Sequence, residues 1–386
     1  MGKELKICTR CIIDSNVPDV SFNDDGICNY CSEYLEKSSF VLKMTPETRQ
    51  AELEALLKKV KRNGKGKKYD CVVGVSGGVD SSWALVQIVK LGLRPLAVHM
   101  DNGWNSEASQ NNIENLVKRL GVDLFTYVID WDEYRNLLQA FLDADVIDVE
   151  LLADNALVAV MYNQAAKYRL RYILTGYNQI TEGFPMPAEW NWNKFDKRNI
   201  VAIGKKFGNI HIKSFPAIGS LKWAYYHYIR LIQLNPTLNY LQYSKPEAFH
   251  ILQRDYGYKP YPFKHYESVL TRFYQGYILP AKFGVDKRKI HLSALVASGQ
   301  MTRIEALSKL TGIAYSSEQD LENDKEYFIK KMGWSMAQLE DYIHRQEIKH
   351  DAYPSERKLN MILTSLPALL PLSMKHKITK YVKSVR

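Results

Sequence analysis

At roughly 150 residues per domain, the 386-residue chain has room for two to three domains. Its 46% hydrophobic and 24% charged residues exclude a disordered or collagen-like chain, and no run of about 18 apolar residues exists to span a bilayer. The formal charge of +10 is localised: residues 194–290 hold 17 Lys/Arg against five Asp/Glu, which implies an anionic partner or a solvated basic face.

In chain order, the first signal is cysteine spacing. Four of the five cysteines form Cys8-x-x-Cys11 and Cys28-x-x-Cys31, separated by 16 residues. A two-residue gap lets both thiolates of a pair face one ion, and two pairs complete a tetrahedral site. The competing reading is two disulfides, which need an oxidising compartment. The opening MGKELKICTR lacks the apolar core of an export signal, so a cytoplasmic location is expected and zinc is the preferred reading. Four thiolates leave zinc no open position, which assigns Cys8, Cys11, Cys28 and Cys31 to a structural role. Between the pairs, Asn23-Asp24-Asp25-Gly26 is turn chemistry suited to a hairpin reversal. A unit of about 40 residues has too little core to fold without such a staple.

Residues 45–63 predict a helix with Thr45 as N-cap and Pro46 in its first position, and 64–68 read as a linker. Short apolar runs at 71–75, 95–99, 124–129 and 172–174 then alternate with helical stretches at 81–91, 106–120, 131–142 and 154–170. Apolar strands between amphipathic helices predict an α/β fold with a parallel sheet covered on both faces. Beyond about residue 217 the strand signal fades, and helices are expected at 221–234, 266–278, 287–298, 303–310 and 336–345. The tail is apolar at 361–372, interrupted by Pro367 and Pro371, and 374–386 carries five basic residues. It is expected to pack on protein, with weak peripheral contact to an anionic membrane as the alternative. Four regions result: a four-cysteine, zinc-ribbon-like module at 1–40, an α/β domain at 41–217, a helical, basic, Tyr-rich region at 218–350, and the tail at 351–386.

The strongest catalytic signal is Ser76-Gly77-Gly78-Val79-Asp80-Ser81-Ser82, which follows the first strand and opens a helix. Consecutive glycines let backbone approach a ligand, their amides converge on one point, and the helix N-terminus adds unpaired donors. Ser76, Ser81 and Ser82 offer further hydrogen bonds to phosphate. A carboxylate repels bare phosphate, so Asp80 reads as a helix cap or as a ligand of a magnesium ion that neutralises pyrophosphate. A capped glycine turn without a ligand is the plainer alternative. No Gly-x-x-x-x-Gly-Lys occurs, so this is not a Walker loop.

The string SGGVDSS resembles the phosphate loop of the ATP pyrophosphatase, or PP-loop, superfamily, whose members cleave ATP to AMP and pyrophosphate while adenylating a carbonyl oxygen. The likeness extends to His99-Met100-Asp101-Asn102-Gly103 and to Leu174-Thr175-Gly176-Tyr177-Asn178, with Tyr177 where the superfamily often has His. It implies ATP and Mg2+ bound by Ser76, Gly77, Gly78, Val79, Asp80, Ser81, Ser82, Met100, Asp101, Thr175, Gly176 and Asn178. All three segments end predicted parallel strands, where open α/β sheets bind ligands. Turn capping is the ordinary alternative for Asp101 and Asn178.

Two PP-loop activities fit. A tRNA-thiolating enzyme needs a reactive cysteine or an iron–sulfur cluster, and outside the four paired cysteines only Cys71 remains, at the start of a buried strand. The other activity follows from a second resemblance. The opening CTRCIIDSNVPDVSFNDDGICNYC, the loop, and residues 264–303 (KHYESVLTRFYQGYILPAKFGVDKRKIHLSALVASGQMTR) are similar to the bacterial N-acetyl sugar amidotransferase family of lipopolysaccharide O-antigen and surface-sugar biosynthesis. This implies an AMP-forming enzyme that adenylates the acetamido oxygen of a nucleotide-linked N-acetyl sugar and replaces it with ammonia, giving an acetamidino sugar. It also implies separate glutaminase and cyclase-like subunits, related to imidazole glycerol phosphate synthase, as the ammonia source. No DNA partner is expected. Asp80, Ser81, Glu182 and His291 are the candidate catalytic residues. Glu267, Arg272, Lys282, Arg288, His291 and Ser293 are candidates for holding the sugar and its charged groups, with core packing as the plainer role. A zinc-module nucleic-acid binder with a dead nucleotide fold is the non-enzymatic alternative.

Overall fold

The apolar run 71–75 nucleates a sheet. In the computed structural model, which describes residues 5–208, 212–261 and 266–369 (backbone only for 366–369), Cys71–Gly74 forms the central strand β1. It pairs in parallel with β2 (Pro95–Asp101) on one side and β4 (Tyr172–Thr175) on the other. Strand β3 (Asp123–Val128) lies outside β2, and β5 (Gln233–Pro236) outside β4, giving the all-parallel order β3-β2-β1-β4-β5. Alternate residues of β1 enter different cores. Cys71, Val73 and Val75 pack with Leu56, Val60, Leu85 and Leu252, whereas Val72 packs with Leu96, Val98, Val160 and Ile173. That is what the two-residue strand period requires of a sheet covered on both faces. Strand β3, expected as a continuous apolar run, is instead the outer edge and leaves Leu124 and Val128 exposed. The strand order reverses between β1 and β4, and the crevice at their carboxyl ends is where such sheets seat ligands.

The first helices are α1 (Asn29–Leu42), α2 (Pro46–Gly64), α3 (Val79–Lys90), α4 (Glu107–Leu120), α5 (Trp131–Asp143) and α6 (Leu151–Lys167), followed by the short α7 (Gln179–Glu182) and α8 (Lys197–Gly208). One expectation fails at 221–234. There α9 (Ser220–Ala224) runs into a π-turn at Tyr225–Ile229, and the chain then enters the sheet as β5. Gln233-Leu234-Asn235-Pro236 is too short and too polar to announce a strand. Its pairing with all four residues of β4 supplies the order.

The remainder is helical: α10 (Lys245–Tyr256), α11 (Val269–Phe273), α12 (Leu279–Phe283), α13 (Arg288–Ala297), α14 (Arg303–Leu310), α15 (Glu318–Met332), α16 (Met336–His344) and α17 (Arg357–Leu369). A π-turn at Tyr274–Ile278 joins α11 to α12. Pro280 has no N–H to give the carbonyl of Gly276, and the widened turn absorbs that missing bond. Gly276 is also where the Tyr315 ring presses in, 2.5 Å from where a Cβ would stand.

The cysteine module packs into this body. Cys8, Cys11, Ile13 and Tyr34 share a buried cluster with Trp104, Leu138, Phe273 and Ala294. Of the apolar tail segment, 361–369 lies in α17 with Met361 and Ile362 exposed, whereas 370–372 and the basic stretch 374–386 lie outside the described residues. No described helix is long and apolar enough to cross a membrane.

Candidate active site and metal centre

The two cysteine pairs converge. Cys8 Sγ lies 4.0 Å from Cys31 Sγ and Cys11 Sγ 3.7 Å from Cys28 Sγ, with all four sulfurs within 4.8 Å of one another. A tetrahedron with zinc–sulfur bonds of about 2.3 Å has edges of about 3.8 Å, so the cluster fits zinc, and none of the cysteines is disulfide-bonded. Backbone amides favour thiolates here. The N–H groups of Arg10, Cys11 and Cys28 donate to Cys8 Sγ at 3.3–3.4 Å, and those of Ile13 and Cys31 donate to Cys11 and Cys28. The sulfurs titrate together: hydrogen bonds from Cys11 and then Cys31 draw the Cys28 thiol down, while sulfur hydrogen bonding pushes Cys11 and Cys31 up. The reversal at Asn23 closes through Gly26 N–H to Asn23 O (2.9 Å), with Gly26 at φ +75°. The second pair opens α1, and the side chain of Cys28 caps that helix.

At the end of β1 the phosphate loop turns through Gly77 at φ +80°, where a Cβ would stand 2.6 Å from Ser109 Oγ. The loop carbonyls are tied from outside: Ser109 Oγ donates to Ser76 O (2.9 Å) and Tyr261 OH to Gly77 O (3.2 Å). Inside the loop, Ser76 N–H donates to Ser81 Oγ (3.2 Å) and Gly78 N–H to Ser76 Oγ (3.3 Å). Gly78 is the N-cap of α3 and has no side chain to offer, whereas Thr45, Ser106 and Asp130 cap α2, α4 and α5. The N–H groups of Val79, Asp80 and Ser81 therefore have no acceptor among the described residues. Unspent donors at the positive end of a helix form a seat for an anion. From β4, Gly176 presses against the same turn, 2.6 Å from Asp80 O and Ser81 N where a Cβ would begin.

The loop opens on a cavity of about 560 Å³ lined by Ser76, Gly78, Val79, Asp80, Ser81 and Gly176. Glu182, Glu267, Arg272, Arg288 and His291 line it too, so the candidate catalytic residues Asp80, Ser81, Glu182 and His291 stand around one space. The Asp80 carboxylate accepts from Tyr243 OH and faces Lys245 Nζ at 3.8 Å. Burial and then the charge of Asp80 push the Tyr243 phenol up, so it remains a donor.

Other expected site residues lie elsewhere or are already engaged. Lys282 is enclosed: its ammonium donates to the carbonyls of Tyr342 (2.7 Å) and Arg345 (2.6 Å), tying α12 to α16 rather than holding a sugar. Ser293 is fully buried, and its hydroxyl accepts the N–H of Ile12 at 3.4 Å. Arg272 reaches the cavity wall but clamps Asp324 through Nε and Nη2, both at 2.5 Å. Arg288 is spent on Asp286 and on the carbonyls of Lys309, Leu310, Gly312 and Ile313. Gly77, Ser82, Met100, Asp101, Thr175 and Asn178 do not line the cavity. Asp101 Oδ1 caps its own turn, accepting from Gly103 N–H (2.8 Å), and Asn178 Oδ1 caps α7 through Thr181 N–H (2.8 Å). Ser82 is buried with its hydroxyl unpartnered among the described residues.

The sequence does not point to Tyr243 and Lys245 beside Asp80 or to Asn112 and Tyr261 beneath the loop; His99 opens the His99–Gly103 string, but no role for its ring follows from that string. Buried His99 bridges two strand ends, with Nδ1 3.0 Å from Val75 O and Nε2 3.1 Å from Asn105 Nδ2. Burial lowers its pKa, which keeps the ring neutral. No local pattern marks Tyr243, Lys245, Asn112 or Tyr261, because their partners are distant in sequence. Cys71 is sealed in β1, and burial pushes its thiol up, so it cannot serve as a sulfur carrier.

Residues 49–182 match a family model described as NAD synthase, and residues 267–366 one described as LPS biosynthesis protein WbpG-like, C-terminal domain. Over 128 residues the chain is 30% identical to the uncharacterized protein MJ1599 of Methanocaldococcus jannaschii, covering 33% of this chain and 44% of that protein. Over 117 residues it is 33% identical to a glutamine-hydrolyzing GMP synthase of Thermus thermophilus, covering 30% of this chain and 22% of the other. The matches thus span less than half of either relative's length. Among solved structures it is similar to an NMN synthetase from Francisella tularensis (18% identity, 56% of this chain, 89% of that one, TM-score 0.29). Another is an NH3-dependent NAD synthetase from Campylobacter jejuni (17%, 56%, 99%, TM-score 0.28). The chain thus joins an NAD synthase-family PP-loop domain to a WbpG-like domain of lipopolysaccharide biosynthesis.

Proposed function

We propose that the chain is an ATP-dependent amidotransferase that converts the acetamido group of a nucleotide-linked N-acetyl sugar into an acetamidino group for surface-polysaccharide biosynthesis. One observation carries the reading: residues from both matched segments wall a single cavity. Ser76, Asp80, Ser81 and Glu182 come from the NAD synthase-like segment, and Glu267, Arg272 and His291 from the WbpG-like one. The uncapped N–H groups of Val79, Asp80 and Ser81 grip the phosphates of ATP. Asp80 would hold magnesium, which neutralises pyrophosphate when bound.

The acetamido oxygen attacks the α-phosphorus and pyrophosphate leaves. Ammonia then adds at the imidate carbon, and AMP departs with the former amide oxygen. Adenylation supplies the leaving group that an amide oxygen lacks, and backbone donors stabilise the charge on departing pyrophosphate. Glu182, Glu267 and His291, which line the cavity, would orient ammonia and take its proton. Separate glutaminase and cyclase-like subunits deliver that ammonia; turnover by the purified chain on glutamine alone would contradict this part. Mass spectrometry of N-acetyl sugar nucleotides incubated with ATP, magnesium and ammonium tests the whole. A loss of about 1 Da with one AMP per product is expected, and product formation without AMP overturns the reading.

A further inference from the structure

We propose that one corner of the molecule, at the edge of the sheet opposite the phosphate loop, docks on an anionic phospholipid surface. Helix α6 ends just before β4 begins, so its last turn lies at the amino ends of the parallel strands. Asn155, near the start of α6, donates to Ile218 O at 2.7 Å, and Arg230 Nη2 donates to Ala166 O, near its end, at 3.1 Å. The α9 segment and its π-turn therefore run alongside α6 towards that amino edge. Leu221, Tyr225 and Ile229 recur every fourth residue along this segment and form one stripe, 66%, 46% and 70% exposed. Helix α17 flanks it: Tyr228 OH donates to Leu363 O at 2.9 Å, and Lys358, Met361 and Ile362 of α17 are exposed.

The same edge carries uncompensated positive charge. Lys65 and Lys67 precede β1, Lys167 and Arg169 precede β4, and Arg230 precedes β5, so the parallel strands bring them to one side. Lys67 Nζ donates to Arg169 O at 2.7 Å. Lys68 and Arg94 are neutralised by Asp123 (3.0 Å) and Asp70 (2.7 Å), but among the described residues no carboxylate pairs with Lys65, Lys67, Lys167, Arg169 or Arg230. Burial and then the charges of Arg171 and Arg169 lower the pKa of Lys67, as crowded cations without a counter-charge require.

Cations beside exposed apolar side chains fit a bilayer with anionic headgroups, where Leu and Ile enter the acyl boundary and each Lys or Arg is drawn to the surface. A second copy of this face would set like charge against like across a two-fold axis. A nucleic acid would engage the cations and leave Leu221 and Ile229 in water. Residues 374–386, which follow α17 in sequence and lie outside the described residues, add five Lys/Arg and no Asp/Glu. Because the phosphate loop lies at the carboxyl ends of the strands, docking at the amino edge leaves the crevice open to solvent.

The test is flotation of the full chain with vesicles of phosphatidylcholine, alone or mixed with phosphatidylglycerol. Binding is expected on the mixed vesicles, about tenfold or more weaker on the neutral ones, and falling as salt is raised. Ile229→Gln is expected to weaken it about fivefold, and Lys167→Gln combined with Arg169→Gln about tenfold, at an unchanged melting temperature. All three side chains are exposed and none lines the loop cavity; should one variant lose its melting transition, the other decides. No binding to the mixed vesicles, equal binding to the neutral ones, or indifference to both variants overturns the assignment, and indifference would leave any membrane contact to residues outside this face. Salt-sensitive binding of double-stranded RNA that the same variants weaken, with vesicles left unbound, overturns it in favour of nucleic acid.

Discussion

On the loop side of the cavity, the N–H groups of Val79, Asp80 and Ser81 have no acceptor among the described residues, because Gly78 offers no cap. On the helical side, polar groups are consumed inside the fold: Arg272 on Asp324, Arg288 on Asp286, Lys282 on Asp145, Lys287 on Glu150 and Lys289 on Asp14. Four of those five carboxylates lie outside the basic stretch 194–290. A local excess of positive charge in a sequence thus measures demand for distant counter-charges as readily as for an anionic ligand. In this protein the donors left over on the loop side, among the described residues, are backbone N–H groups.

Substitutions and metal removal on the two sides should have unequal effects. The largest effect is expected at the cysteine centre, which the helical side holds: Lys289 meets Asp14 at 2.5 Å, and Arg303 Nε donates to Cys8 O (3.2 Å) and Cys11 O (3.0 Å). About one zinc per chain should appear by atomic emission, and because such sites contribute on the order of 10 kcal/mol, chelation should lower the melting temperature by about 10 °C or more. An unchanged melting curve would sever that dependence. Next, Arg272→Met should cost about 3–5 kcal/mol in urea unfolding by leaving Asp324 buried and unpaired. A raised acceptor KM at wild-type stability would restore Arg272 to substrate binding.

Asp80→Asn should lower AMP formation by about 10²–10³-fold at unchanged melting temperature, and a loss of stability instead would make Asp80 structural. The smallest effect concerns pH. Asp148 N–H donates to His350 Nε2 at 3.2 Å, and His350 Nδ1 lies 2.8 Å from Asn199 Oδ1, so the fold needs the neutral ring. Burial lowers its pKa from 6.5 to about 4. The unfolded chain then binds the proton first, and stability falls as pH drops from 6.5 towards 4, by up to about 3 kcal/mol. His350→Gln should flatten that slope in pH-dependent unfolding; an unaltered slope would assign it to carboxylates.

Local strings were the legible part. The run Cys71–Gly74, the loop glycines and the Cys-x-x-Cys spacings carry their consequences within a few residues, so the parallel sheet, the anion-binding turn and the sulfur cluster follow from them. Strand β5 was not legible, because Gln233–Pro236 becomes a strand only through β4. Nor were the fates of Lys282 and Ser293, whose partners Tyr342 and Ile12 lie 60 and 281 residues away. Spacing can nominate a basic or hydroxyl side chain for a site. Whether it is spare depends on pairings that only the folded chain reveals.

Strand β5 carries a consequence for any attempt to separate the halves. The sheet draws its outermost member from beyond residue 217, so its hydrogen-bonded surface is finished by the region that also furnishes His291. A fragment ending at Gly208 would present β4 as a bare edge, with a row of donors and acceptors ready to pair with another chain. The glycine-loop segment and the segment that furnishes His291 are therefore bound into one inheritance unit, indivisible without inviting aggregation.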